Sequence, residues 1–444
     1  MVSLSVDGLI SGLDTTSLIN QLISAEAATQ TSLKTRLSAT QSSAAAYRSV
    51  NTKVEALRTV ALELAKATTW SAAKATSSSP SVAVAVTGTP PTGQLSFTVD
   101  ALAAAHSVLS DGRWDTTTTA FGASQISFTT GGTTTTVDVG GSGTLADAAA
   151  AVNASAAGVS ATAVRLEDGR YALLLTAKKT GLDNAFSVGG AGTFTTMTQG
   201  TNARLLLGGA TGPAVTSSSN TFTDLLPGAT LTVGEKTTSA VTISVVADPD
   251  AVAAKVQAFV DAANAALADI KKYASSTGGT TAVLKGDSTL ARLSGDILDA
   301  VSRAVGTDGS PGAAGVQLTR DGTVTFDKTT FLAKLQSVPE LTRRLFAGTP
   351  ADGTNPAVDG VSQRVQTLAK AATDSTTGTL TVLAKGRDSL ARDYQDRIDD
   401  WDVRLAARRA TLTRQFTAME TALSSLKQQS SWLAGQLASL PTSS

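Results

Sequence analysis

Two stretches of the chain carry apolar residues at helical spacing, one near each end. Leu33, Leu37, Thr40, Ala44, Tyr47, Val50, Val54, Leu57, Ala61 and Leu64 recur in steps of three and four. That is an a/d seam with one three-residue stammer at Tyr47–Val50, the pattern of a helix that pairs with another. Upstream, Leu9, Leu13, Leu18, Leu22 and Ile23 form a second apolar stripe. Asp14 or Thr15 stands where it can cap that helix, after the helix-breaking Gly8 and Gly12. Near the other end the seam runs Leu390, Tyr394, Ile398, Trp401, Leu405, Arg408, Leu412, Phe416, Met419, Leu423, Leu426, Ser430, Leu433, Leu437 and Leu440. Its mean step of about 3.6 is the helical period, and a continuous helix over 390–440 would be about 75 Å long. Polar on its other faces, a helix of that length needs partner helices.

Between these ends the period changes to two. Val82, Val84 and Val86 alternate with Ala, and Pro90-Pro91-Thr92-Gly93 turns the chain into Leu95, Phe97 and Val99. A short helix from Leu145 to Asn153 precedes a hairpin of Val159–Arg165 and Tyr171–Thr176, with Asp168-Gly169 predicting a two-residue turn. Thr221–Val233 folds about Pro227-Gly228, and Val241–Val246 adds a strand. Gly/Ser/Thr clusters at 129–144, 188–201 and 208–220 read as loops. At Asp248-Pro249, an N-cap followed by proline at the first helical position, the pattern turns helical again through Val252, Val256, Phe259, Val260, Ala263, Leu267 and Ile270. A further helix follows Gly286-Asp287-Ser288, and Asp321-Gly322 turns a small hairpin before short helices lead to Phe346. Prolines are absent from 1–79 and 357–440, so both ends are free to form long helices. The expected fold class is α+β multidomain: long terminal helices with an inserted β-rich head.

Composition removes most chemistry from this picture. The 444 residues include 74 alanines, only 4% aromatics, no Cys and a single His. Cores are therefore thin, and disulfides, thiolate catalysis and zinc–thiolate sites are excluded. Lys+Arg and Asp+Glu are equal at 36 each, so nothing favours nucleic acid or an anionic membrane as a partner. No apolar run is long enough to predict membrane insertion. The first basic residue is Lys34, so no Sec-type signal peptide is expected. His106 reads as a surface or loop histidine without a second ligand. Asp396, Asp399, Asp400 and Asp402 are interleaved with Arg392, Arg397 and Arg404, which predicts helical ion pairing rather than a cation site. The Gly189-Gly190-Ala191-Gly192 run lacks the strand–helix frame of a phosphate loop. No catalytic residue, cofactor or metal is expected.

Four separated motifs then narrow the reading. Asp7-Gly8-Leu9-Ile10-Ser11-Gly12-Leu13-Asp14-Thr15-Thr16-Ser17-Leu18-Ile19, leading on to Glu26, resembles the N-terminal signature of the bacterial flagellar hook-associated protein 2 family, the filament cap proteins. Asn220-Thr221-Phe222-Thr223-Asp224-Leu225-Leu226-Pro227-Gly228, Gly286-Asp287-Ser288-Thr289-Leu290, and Gln415-Phe416-Thr417-Ala418-Met419-Glu420 with Gln429-Ser430-Ser431-Trp432-Leu433 agree in the same order. Trp432 stands where tyrosine is more usual. The resemblance covers roughly 1–105 and 205–440, whereas 106–204 is only generically similar.

The resemblance implies a non-enzymatic homo-oligomeric ring at the tip of the growing flagellum, under which exported flagellin subunits fold and insert. It implies export through the flagellar type III channel without cleavage, contacts with flagellin and hook–filament junction proteins, and a cytoplasmic export chaperone on the C-terminal helix. On this pattern 1–40 is an N-terminal leg helix and 41–76 the N-terminal part of a helical domain. Residues 77–105 with 205–247 form an inner head domain, and 106–204 an outer one. Residues 248–389 complete the helical domain, and 390–444 form a C-terminal leg helix, antiparallel to the first. The leg contacts expected are Leu9, Leu13, Leu18, Leu22, Leu33 and Leu37, together with Leu412, Phe416, Leu423, Leu426, Leu433 and Leu437. Other readings are a different axial filament or junction component, or a secreted adhesin with a glycan-binding head.

Overall fold

A computed structural model describes residues 12–209, 211–276 and 279–438. The chain divides into two compact units. One comprises the residues up to Lys66 with those from Ala253 onward, and the other is Ala67–Val252. The first unit opens with α1 (Thr15–Glu26) and α2 (Ala28–Ala65). Asp14 caps α1, its carboxylate accepting the Ser17 N–H at 2.8 Å.

The second unit starts with a short α3 (Ala67–Trp70), then β1 (Ala73–Ser77), β2 (Val82–Val86), β3 (Gly93–Ala101) and β4 (Ser107–Ser110). Next come β5 (Gln125–Thr130), β6 (Thr133–Asp138), α4 (Leu145–Ala154), β7 (Val159–Arg165) and β8 (Tyr171–Ala177). The remaining strands are β9 (Phe186–Gly189), β10 (Phe194–Thr198), β11 (Ala203–Leu207), β12 (Ala214–Ser217), β13 (Thr221–Leu226), β14 (Ala229–Val233) and β15 (Val241–Ala247). Two apolar cores form. One holds Phe97, Val99, Leu205, Phe222, Leu231 and Ile243 beneath the sheets β1-β15-β3-β11-β12 and β13-β14-β2. The other gathers Ile126, Phe128, Leu145, Val152, Leu173, Leu175 and Phe186 from α4 and the sheets β10-β4-β8-β7 and β6-β5-β9.

Three expectations fail here. The clusters at 129–144, 188–201 and 208–220 contain the strands β6, β10 and β12 as well as loops. Their threonines are β-branched and suit a pleated surface, although they give no apolar alternation to announce it. Gly131 and Gly132, both at positive φ, make the two-residue turn between β5 and β6. The β7–β8 turn is longer than two residues: Leu166 N–H reaches the Arg170 carbonyl at 2.8 Å, with Gly169 at φ +85°. His106 is buried, 5% exposed, with its ring edge-on to Phe186 at 4.9 Å. The reason is its surroundings: Ala104 O accepts from Gly181 N and Thr201 N, each at 3.2 Å, so neighbouring segments close over this connection.

Helix α5 (Pro249–Ala274), which Asp248 caps by accepting from Ala251 N at 3.2 Å, leads the chain back into the first unit. It continues with α6 (Ser288–Ser302), the hairpin β16 (Val316–Leu318) and β17 (Val324–Phe326), α7 (Lys328–Ser337), α8 (Pro339–Ala347) and α9 (Val361–Thr373). Last is α10 (Thr379–Ala438), one continuous helix that begins well before Leu390. Tyr47, Val50, Val54, Leu57, Ala61 and Leu64 of α2 are fully buried, as the seam predicts, where α2 packs against α9 and α10. Each leucine-sized side chain buried this way stabilises by about 1.5–3 kcal/mol.

Candidate interaction surface on the terminal helices

The inward face of α10 repeats every seven residues: Ala384, Ala391, Ile398, Leu405 and Leu412 are all buried. Its cross-helix bonds run in antiparallel order. Asn51 Nδ2 donates to Thr381 Oγ1 at 3.0 Å, Arg48 pairs with Asp388, and Gln30 Nε2 donates to Asp402 Oδ1 at 2.6 Å. Arg408 pairs with Glu26 at 3.0 Å. Moving up α1 and α2 thus means moving down α10, as the antiparallel arrangement of the two terminal helices requires.

Of the aspartates expected to pair along α10, Asp402 instead accepts from Gln30, and Asp399 from Gln395 at 2.8 Å. Arg404 lies over the Trp401 ring at 5.4 Å. Among the described residues no ion pair joins this cluster to Arg392, Arg397 or Arg404. No group of acidic and imidazole side chains suited to a metal is found among them either.

At the far end of this pair, α1 packs Ile19 and Ile23 against Leu405 and Leu412, with Ala27, Trp401 and Phe416 at the margin. That choice turns Leu13, Leu18 and Leu22 outward, at 52%, 41% and 41% exposure. Leu33 and Leu37 are half-buried in the seam, Leu412 is buried and Phe416 half-buried. Beyond Leu412 the apolar spacing continues through Met419, Leu423, Leu426 and Leu433, yet none of the described residues from 413 to 436 is buried. Leu426 and Leu433 are 60% and 55% exposed, and Trp432 joins them at 65%. Leu9 and the side chain of Leu437 lie outside the described residues.

Sequence reading placed Leu18 and Leu22 on the stripe but not Ile19, because the adjacent pairs Leu18-Ile19 and Leu22-Ile23 fit either of two helix faces. It missed Gln30 altogether. The signal for Gln30 was its position seven residues before Leu37 and seven after Ile23.

The surface so built is an apolar seam continuing past its own intramolecular partner. Between 415 and 436 the only charges are Glu420 and Lys427, so little electrostatic cost opposes burying this stretch against other helices. A row of leucines at a/d spacing is the geometry by which one helix lies against others.

Comparison with known proteins agrees at both ends. A family model described as flagellar hook-associated protein 2 C-terminus matches residues 200–428. One described as flagellar hook-associated protein 2 N-terminus matches 11–106, and a flagellin hook IN motif matches 125–179. The flagellar hook-associated protein 2 of Escherichia coli strain K12 is 27% identical over 477 residues, covering 98% of each chain. That of Escherichia coli O157:H7 is similar to the same extent. In fold, the chain is similar to the crystal structure of the D1-D2-D3 domains of the flagellar cap protein FliD from Escherichia coli. The TM-score is 0.62 at 24% identity, over 77% of this chain and 99% of that one.

Proposed function

This chain belongs to the flagellar hook-associated protein 2 family, and from that premise we propose that it caps the distal end of the growing flagellar filament and promotes folding and insertion of exported flagellin. The observation that carries the reading is the apolar seam of α10 that continues, unburied, beyond Leu412. A leg that docks on filament subunits needs such a surface: regular, apolar, nearly uncharged, and supported at its base by a packed helical unit. In this reading Leu13, Leu18 and Leu22 with Leu423, Leu426 and Leu433 are the contact residues. The two β cores serve as inner and outer head domains of a ring of identical subunits. Junction proteins contact the cap during assembly, and a cytoplasmic chaperone covers the C-terminal helix before export without a cleaved signal. The protein acts at the filament tip outside the cell and does so as a scaffold rather than an enzyme. The family match does not favour the other axial components or an adhesin.

The test is complementation. Purified chain added to cells lacking their own cap is expected to restore filament growth and to stop flagellin leaking into the medium. A variant with Leu423, Leu426 and Leu433 changed to Ser is expected to fold but not to restore growth. Full restoration by that variant would remove the assigned contact surface. No restoration by the unaltered chain would remove the capping reading itself.

A further inference from the structure

We propose that the core built on α4 carries a binding site of its own, a cleft along the free edge of β9 that takes up an extended, uncharged segment of another polypeptide as an added strand. The three-stranded sheet β6-β5-β9 and the four-stranded sheet β10-β4-β8-β7 share this apolar core. The smaller sheet ends at β9, which pairs with β5 alone, and the larger ends at β10, the next strand along the chain. Between these two edges lies a cleft of about 660 Å³, within the size range of ligand-binding pockets. One wall is β9 itself, through Phe186 and Val188. The other is the core side of the larger sheet, where Phe194, Thr196 and Val108 share a face. A strand added to β9 would therefore lie across β10 and cover this wall.

The side chains around the cleft define what fits. His106 lines it, is 5% exposed, and has no hydrogen-bond partner for its Nδ1 in the chain. An enclosed polar atom left unpaired is costly, so a hydroxyl or amide entering the cleft gains by supplying a partner. Apart from His106 the lining holds no acidic or basic residue, only apolar side chains, Gly, Ser, Thr and Gln. A charged segment would lose hydration there without meeting a counter-charge, so the segment that fits is neutral. Strand edges that must stay unpaired are commonly protected by charge, proline or a bulge. A bulge between Thr196 and Thr198 interrupts β10, whereas Phe186–Gly189 of β9 has none of the three devices. Main-chain pairing along β9 then supplies affinity, and the cleft selects side chains, as in strand addition generally. At four residues, β9 holds only a short stretch and releases it readily. The site uses nothing of the terminal helices, so it stands or falls apart from the capping reading.

His106 is the only histidine, which makes the test clean. In the untagged full chain, ring-labelled histidine gives a single nuclear magnetic resonance signal, and it reports on the cleft. The probe is a blocked, uncharged peptide of alternating valine and threonine or serine. Titrating it is expected to shift the His106 signal saturably. The same peptide methylated on every amide nitrogen keeps its side chains but cannot donate to β9, and is expected to bind at least about tenfold more weakly. Thr196→Arg changes an exposed residue and fills the cleft, so it is expected to abolish the shift while leaving the denaturation midpoint unchanged. No shift on adding peptide, or a shift that survives Thr196→Arg, would overturn the site. Equal affinity for the methylated peptide would overturn strand addition. A shift that appears when the chain alone is concentrated would assign the cleft to a second copy and overturn the proposed partner.

Discussion

The phenolic hydroxyl of Tyr47 donates to the carboxylate of Asp287, which also accepts the N–H groups of Thr289 at 2.9 Å and Leu290 at 3.0 Å. One aspartate thus caps α6 and fastens α6 to the fully buried ring of a residue in the middle of α2. Burial first, and then the Asp287 contact, raises the Tyr47 pKa above its usual value. Tyr47→Phe is expected to cost about 2 kcal/mol by chemical denaturation, the range for a hydrogen bond to a charged group. The raised value has a pH signature. Its stabilising contribution is fully present below about pH 10 and is lost as pH rises through the folded-state value. The Phe variant should lack that alkaline component.

Asp308 accepts a bidentate pair from Arg344, at 2.9 and 2.8 Å, and this contact lowers the Asp308 pKa. The depressed value contributes stability above about pH 4, lost as pH falls through the folded-state pKa. Both side chains keep some solvent contact, so Asp308→Asn is expected to cost only about 1 kcal/mol at neutral pH. Acid titration of unfolding should flatten correspondingly in the variant.

Gly360 precedes α9 where the chain passes the end of α8. A Cβ at Gly360 would overlap the Phe346 carbonyl and the Gly348 amide, and both are backbone atoms with nowhere to move. Gly360→Ala is expected to destabilise the helical unit by about 3 kcal/mol or more, read as a drop in denaturation midpoint.

The two halves of the α10 seam should respond differently to truncation. Leu405→Ala removes a side chain buried with Ile19, Ile23 and Leu412 and is expected to cost about 2–5 kcal/mol. Leu426→Ala alters an exposed side chain and should stay within about 0.5 kcal/mol in the free chain. Equal losses at the two sites would mean that the outer seam is already buried in solution.

Hydrogen exchange should divide α10 in the same way. Amides from 417 to 436, with no buried side chain to hold them, are expected to exchange fast, whereas those of Ala44–Leu64 in α2 exchange slowly. Low packing also allows the helix end to gain its stability from neighbours on assembly.

What could be read from the sequence was local. Asp14, Asp248 and Asp287 cap helices because a short carboxylate reaches amides two or three residues on, and that geometry is contained in the motif. The a/d spacing from Thr40 to Leu64 marks a buried face because 3.6 residues per turn repeat whatever the partner is. The Pro227-Gly228 turn between β13 and β14 is likewise local. Less legible were β6, β10 and β12, whose threonines pair as strands only because neighbours present edges to them.

The sequence by itself therefore determined the helical ends, their caps and the β character of the middle, since each depends on contacts a few residues apart. Only the tertiary structure decided that Ile19 rather than Leu18 faces inward, that His106 is enclosed, and that burial of the α10 seam stops at Leu412. It also decided that Gln30 meets Asp402, 372 positions away. Such choices rest on which distant surface arrives, and an apolar period specifies that a face be covered without specifying by what.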